Sequence, residues 1–186
     1  TSILLAKNEN YWNKDNIHLD ELEIKMISDQ LAALNAFKNG ELDITELSGE
    51  QLIEYRDDKR LYSYNKGSIK FLKFNVKNKL LANQKIREAV SMAIDRDEMT
   101  ENVSKGSFMP AYGFVPEGYG GSAGGDFRKE NGDIFEKYNP EKAKQLFQEG
   151  LKEVGETGTP TLTLMIYEAP DNQKLAEYIQ EKLRTV

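Results

Sequence analysis

With 186 residues, of which 39% are hydrophobic and 30% charged, the chain can bury a core under a well-hydrated surface. Its 25 Lys and Arg against 31 Asp and Glu leave a net charge of −6. That argues against a dedicated nucleic-acid binder, whose affinity comes mainly from neutralising phosphates. No cysteine is present, which removes disulfides, thiolate zinc sites, iron–sulfur ligation and cysteine nucleophiles. No apolar run reaches the ~18–20 residues of a bilayer-spanning helix.

Residues 2–7 and 20–27 read as strands. In the second, Leu22, Ile24 and Met26 alternate with Glu21, Glu23 and Lys25, the period-2 pattern of a sheet with one wet face. The Asn-rich turn between them carries Tyr11 and Trp12, expected as a buried anchor. Ser28 and Asp29 offer capping oxygens to a helix through Leu31, Leu34 and Phe37, closed by Gly40. A short strand over 43–47, a helix from Ser48 through Tyr55, and strands over 61–65 and 69–76 follow. Asn83 caps a helix whose apolar face is Ile86, Val90, Ala93 and Ile94, and Asp95 caps a second one ended by Gly106. Residues 107–134, with Pro110, Pro116 and six glycines from Gly113 to Gly125, read as a long functional or mobile loop. Asn139-Pro140 opens a helix as N-cap and first helical residue, with Ala143, Leu146, Phe147 and Leu151 inward. A strand over 161–167 and a final helix capped by Asp171, with the stripe Leu175, Ile179 and Leu183, complete the order. The class is α/β, in the mixed α+β sense, without repeats. Both ends read as mid-element, so the pattern predicts a piece of a longer chain.

Reactive chemistry is sparse. His18 is the single histidine, so base–nucleophile pairs and His-rich metal sites cannot be assembled within the chain. Gly118-Tyr119-Gly120-Gly121-Ser122-Ala123 fails the dinucleotide fingerprint at its third glycine position, and no Gly-Lys-Ser/Thr follows any glycine run. Asp95-Arg96-Asp97-Glu98 lacks the loop glycine and distal glutamate of a calcium loop and reads as a helix start. No catalytic residue, metal or cofactor is expected.

Two stretches carry a resemblance. Leu72-Lys73-Phe74-Asn75 precedes Leu81-Ala82-Asn83-Gln84-Lys85-Ile86-Arg87-Glu88-Ala89-Val90-Ser91-Met92-Ala93-Ile94-Asp95-Arg96. Together they resemble the signature of peptide-binding extracellular solute-binding proteins of ABC importers, in which a strand ending Phe-Asn precedes D-x-R-V-R-x-A-L-S-x-A-I-D-R. Asn8 to Trp12, Ala32 to Ile44, Pro110-Ala111 with Val115-Pro116, Tyr138 to Ala143 and Asn172 to Gln180 are similar in the same order.

The resemblance implies part of a periplasmic-binding-protein-like, two-lobed fold. Residues 1–68 would be part of the first lobe, and 69–186 the inter-lobe strand and first half of the second. It implies a monomeric, extracytoplasmic protein, lipid-anchored in bacteria with one membrane, that closes on an oligopeptide and delivers it to ABC permease subunits. No nucleic-acid partner is implied. Dipeptide, nickel-complex, oligosaccharide or signalling-peptide cargo are alternatives, as is a secreted hydrolase with catalytic residues elsewhere. By resemblance Phe71 and Leu72 on the inter-lobe strand, Asn102 at the end of the second helix, and Glu168 and Asn172 after strand 161–167 line the cleft. Tyr112 and Phe114 on the Pro-rich loop are candidate aromatic walls. Phe74 is expected to face the core, and Arg87 to pair with a carboxylate and order its helix. The acidic residue that anchors a peptide's amino terminus would lie beyond Val186.

Overall fold

Alternating apolar residues near the start of the chain form a two-stranded antiparallel ribbon. In the computed structural model, which describes residues 1–186, β1 (Ser2–Ala6) pairs with β2 (Glu21–Lys25), Ile3 opposite Ile24 and Leu5 opposite Leu22. Every position of both strands is exposed. The turn aromatics are exposed too: Trp12 is 86% accessible, against the expectation of a buried anchor, and meets the tilted ring of Tyr11 at 5.6 Å. Helix α1 (Gln30–Lys38) starts where Asp29 Oδ1 accepts from Ala32 N at 2.7 Å. It ends before Gly40, whose φ of +77° is reached cheaply only without a Cβ. Leu34 is its one buried residue. These elements belong to the first of two compact units, Thr1–Leu47; the second is Ser48–Val186.

The second unit is a helical layer. It contains α2 (Gly49–Glu54), α3 (Lys79–Ala82), α4 (Gln84–Ala93), α5 (Arg96–Glu98), α6 (Phe127–Asn131), α7 (Pro140–Glu153) and α8 (Pro170–Leu183). Asn83, Asp95 and Asn139 each accept a backbone N–H of the following turn, as the capping pattern predicts. The short α3, capped by Asn78, was not legible beforehand. After α5 the chain continues into a π-helical turn, Met99–Val103. Ser104 N closes on Met99 O at 3.1 Å, and Lys105 follows with φ +54°. Asp171 does not cap α8: Ala169 is the N-cap and gives no side-chain bond, while Pro170 holds the first turn. Pro at that position removes a donor that would otherwise need a cap.

The core lies where the apolar stripes meet. Ile86 and Ala89 of α4 and Ala143 of α7 are fully buried, and Gly150 lets the two helices touch. A Cβ there would sit 2.6 Å from Ile86 Cγ1. Outside that seam Lys85 Nζ reaches Glu149 Oε2 at 2.7 Å and Glu153 Oε1 at 2.8 Å. These hydrogen bonds, that to Glu149 first, raise the lysine's pKa, and both carboxylates are held below their usual range by Lys85. Val90 and Ile94 meet Tyr178 and Ile179 of α8 in a second cluster, on which Leu72, Phe74 and Leu162 pack. Phe74 thus faces the core as expected.

Segments 43–47, 61–65, 69–76 and 161–167 are not strands here. Their apolar residues Leu72, Phe74 and Leu162 pack onto the helices. A strand also needs a neighbour about 4.8 Å away to accept its ladder bonds, and the chain's one sheet is β1 with β2. Arg87 also departs from expectation. Its guanidinium donates to the carbonyls of Leu81 at 2.9 Å and Ala82 at 2.8 Å, closing the end of α3 in place of a carboxylate pair.

Candidate ligand-binding face

The run 65–74 and the loop 107–119 touch at several points. Asn65 Nδ2 donates to Glu117 O at 3.1 Å, and Tyr119 OH donates to Gly67 O at 2.7 Å. The Lys70 ammonium lies 4.2 Å from the centre of the Phe108 ring. Phe71 and Phe114 meet with ring centres 5.1 Å apart and planes tilted by 57°. Both remain more than half exposed, so the pair is an open aromatic surface. Tilted aromatic pairs of this spacing are mutually attractive. Lys70 Nζ also donates to Asn172 Oδ1 at 3.3 Å, on the first turn of α8, and Asn172 Nδ2 donates to Tyr167 O at 3.2 Å.

The loop that supplies Phe108 and Phe114 is cross-braced. At its base Tyr112 is buried, and its OH donates to the Asp97 carboxylate. The Arg96 guanidinium lies 5.3 Å from that ring and donates to Ser91 O and Oγ. Burial, reinforced by the Asp97 bond, pushes the Tyr112 hydroxyl up to about 12. Burial likewise lowers Arg96 from its ordinary value. Tyr112 O accepts from Ile134 N and Phe135 N, both at 2.9 Å, so one residue pins both ends of the loop. Further out, Asp126 accepts from Gly118 N, Arg128 N and Lys129 N, and these donors, Gly118 first, hold its carboxyl below the usual range. Glu130 accepts from Ser122 N and Oγ, and Arg128 Nε donates to Val115 O. The expected structureless stretch therefore contains α6 and a hydrogen-bonded frame.

Among the sequence-predicted residues, Phe71 and Phe114 meet each other, and Asn172 bonds Lys70, the chain neighbour of Phe71. Leu72 turns the other way and packs on the core cluster. Tyr112 is enclosed by its own network. Asn102, on the π turn, lines a separate open concavity of about 400 Å³ with Glu50, Lys105, Lys174, Tyr178 and Glu181. Glu168 is exposed between 161–167 and α8. The acidic run at 95–98 is consumed structurally: Asp95 caps, Asp97 takes Tyr112, and Glu98 takes Lys182 at 2.6 Å and Tyr178 OH at 2.7 Å. His18 is exposed ahead of β2. No three His, Asp or Glu side chains converge to hold a metal ion.

The whole chain, residues 1–186, matches the family model described as bacterial extracellular solute-binding proteins, family 5 Middle. It belongs to that family. Similar relatives include the dipeptide-binding protein DppE of Bacillus subtilis, 36% identical over 98% of this chain and 34% of that protein. The oligopeptide-binding protein OppA of the same species is 31% identical over 97% of this chain and 34% of its own length. Among solved structures, Listeria monocytogenes OppA bound to peptide superimposes with a TM-score of 0.82 at 30% identity, covering 98% of this chain and 37% of that one. The chain thus spans about a third of the length of these relatives, and its fold is a partial periplasmic-binding-protein-like fold of mixed helix and sheet. No helix of this family-5 chain is long and apolar enough to cross a membrane.

Sequence reasoning missed Lys70 and Phe108. A usable signal existed for Lys70, a cation directly before Phe71 on the run that supplies that ring. Phe108 had none, because only the fold brings loop 107–119 onto that run.

Proposed function

We propose that this chain is part of the substrate-binding component of an ABC importer, which captures short peptides outside the cytoplasm and passes them to membrane permease subunits. Within it, residues 1–68 belong to the first lobe, and 69–186 to the inter-lobe strand and first half of the second. The observation that carries the reading is the exposed Phe71–Phe114 pair, on a run whose Lys70 bonds Asn172, in a chain whose family is that of solute-binding proteins. Apolar and amphipathic surfaces around a peptide backbone tolerate varied side chains. Capture by lobe closure calls for shape, hydrogen bonds and hinge motion, with no reactive group. The relatives named for dipeptide and oligopeptide binding support peptide cargo. Turnover forms no part of the reading, and the working unit is a monomer, lipid-anchored where the cell has a single membrane.

The test is mass spectrometry of ligands retained by the natural full-length protein under native conditions. Mixed short peptides are expected. A single sugar or a metal chelate would overturn the cargo, and hydrolysis of a bound peptide would overturn the binding role. Residues 1–186 alone are expected to show weak peptide affinity or none in calorimetry.

A further inference from the structure

Lys70 is held differently from the lysines of the second unit that form ion pairs. Lys85, Lys105, Lys142 and Lys182 each face a glutamate, so their charge is already matched. Lys70 is held by groups that position a cation without neutralising it, an amide oxygen at 3.3 Å and a ring face at 4.2 Å. No carboxylate is among its contacts. An ammonium has three donors; Asn172 uses one, and the side chain is solvent-exposed. Residue 70 also sits between two positions assigned to the ligand-binding face. Phe71 follows it in the chain, and Asn172, brought from 102 residues away, bonds it directly. An unmatched cation fixed at such a point supplies charge recognition that aromatic rings cannot.

Resting on the peptide-binding reading above, we infer that the Lys70 ammonium, fixed between the Phe108 ring and the Asn172 amide, receives a carboxylate of the bound peptide. Lys70 is therefore a specificity-determining residue that favours acidic over neutral peptides. The carboxylate has two possible sources, a Glu or Asp side chain or the peptide's own C-terminus. Phe108 and Asn172 act as positioning residues that keep the ammonium from sweeping through solvent.

Calorimetry on the natural full-length protein distinguishes the sources. The probes are tripeptides paired as Ala-Glu-Ala against Ala-Gln-Ala, and Ala-Ala-Ala against its C-terminal amide. The wild type is expected to prefer the charged member of one pair by roughly 5-fold, the scale of a partly exposed ion pair. Lys70→Gln abolishes that preference, lowering the affinity for the charged member more than that for the uncharged one, and Lys70→Arg retains it. A preference in the first pair assigns the side chain, and one in the second assigns the C-terminus. If all four peptides bind but neither pair is discriminated, or if Lys70→Gln keeps the preference, the role of Lys70 is overturned and peptide binding stands. If the wild type binds none of these peptides nor any longer one, the peptide reading falls and this inference with it.

Discussion

Replacing Gly150 by Ala tests whether the α4–α7 seam is set by close approach or by helix propensity. Propensity alone favours Ala over Gly inside a helix by about 1 kcal/mol. The geometry opposes it. The new Cβ would lie 2.6 Å from Ile86 Cγ1, 3.0 Å from the capping Asn83 Oδ1 and 3.3 Å from Ile86 N. Ile86 is completely buried, so its side chain has nowhere to swing, and the backbone nitrogen can yield only if α4 moves. Overpacking of this kind costs about 1–3 kcal/mol. After the propensity gain the expected loss is about 1 kcal/mol and up to about 2, or a fall in Tm of about 2–8 °C for a chain of this size. Urea titration followed by circular dichroism measures it. Ile86→Ala removes the offending Cγ1 and by itself costs about 2–5 kcal/mol. In that background Gly150→Ala should become neutral or stabilising, a coupling only contacting residues display. A Gly150→Ala protein at least as stable as wild type, or strict additivity with Ile86→Ala, would refute the close-approach argument.

Tyr178→Phe removes donation to Glu98 Oε2 at 2.7 Å and Asp95 O at 3.1 Å. It should lower stability by about 1–2 kcal/mol in the same titration, with α8 the element that loosens. Lys182 and then Tyr178 hold the Glu98 carboxyl below its ordinary value, so its stabilisation is full above pH 4.5 and is lost as pH falls through the lower folded value. Melting temperatures should therefore be flat near neutrality and fall in acid, and Glu98→Gln should flatten that acid limb. Tyr112 and Tyr178 are raised by burial first, so their contribution is present below pH 10 and disappears in strong alkali. Phe71→Ala and Phe114→Ala should each weaken peptide binding by roughly 3- to 10-fold at nearly unchanged Tm, because both rings are exposed and their pairing is of modest strength. The double variant should lose less than the sum, and calorimetry reads all three.

The helices were legible in the sequence because each is specified locally. Asn83, Asp95 and Asn139 carry capping oxygens at the right offsets, and the apolar stripes recur at helical spacing. The extended segments were half legible. The alternation of Phe71, Leu72 and Phe74 fixes which side chains turn inward, but a ladder is a relation between two segments, and no period within one segment reveals its partner. Trp12 failed for a similar reason: its size favours burial, yet burial needs a surface to cover it, and beside the Tyr11 ring it stays 86% accessible.

The candidate face divides along the same line. Phe71 and Asn172 were named through resemblance, and Phe114 as an aromatic on a Pro-rich loop; the fold pairs Phe71 with Phe114 and Asn172 with Lys70. What no local pattern carried is the loop's rigidity. Glycines and prolines announce a bend but not its bracing, which comes from Tyr112 pinning both ends and from Asp126 and Glu130 collecting backbone and hydroxyl donors inside. On the proposed peptide-binding reading, that bracing presents Phe108 and Phe114 without the ordering cost a flexible lid would meet on each capture. On the proposed reading, selectivity at this face depends on groups already in place before the ligand arrives, with Lys70 supplying the charge and the two rings the apolar contact.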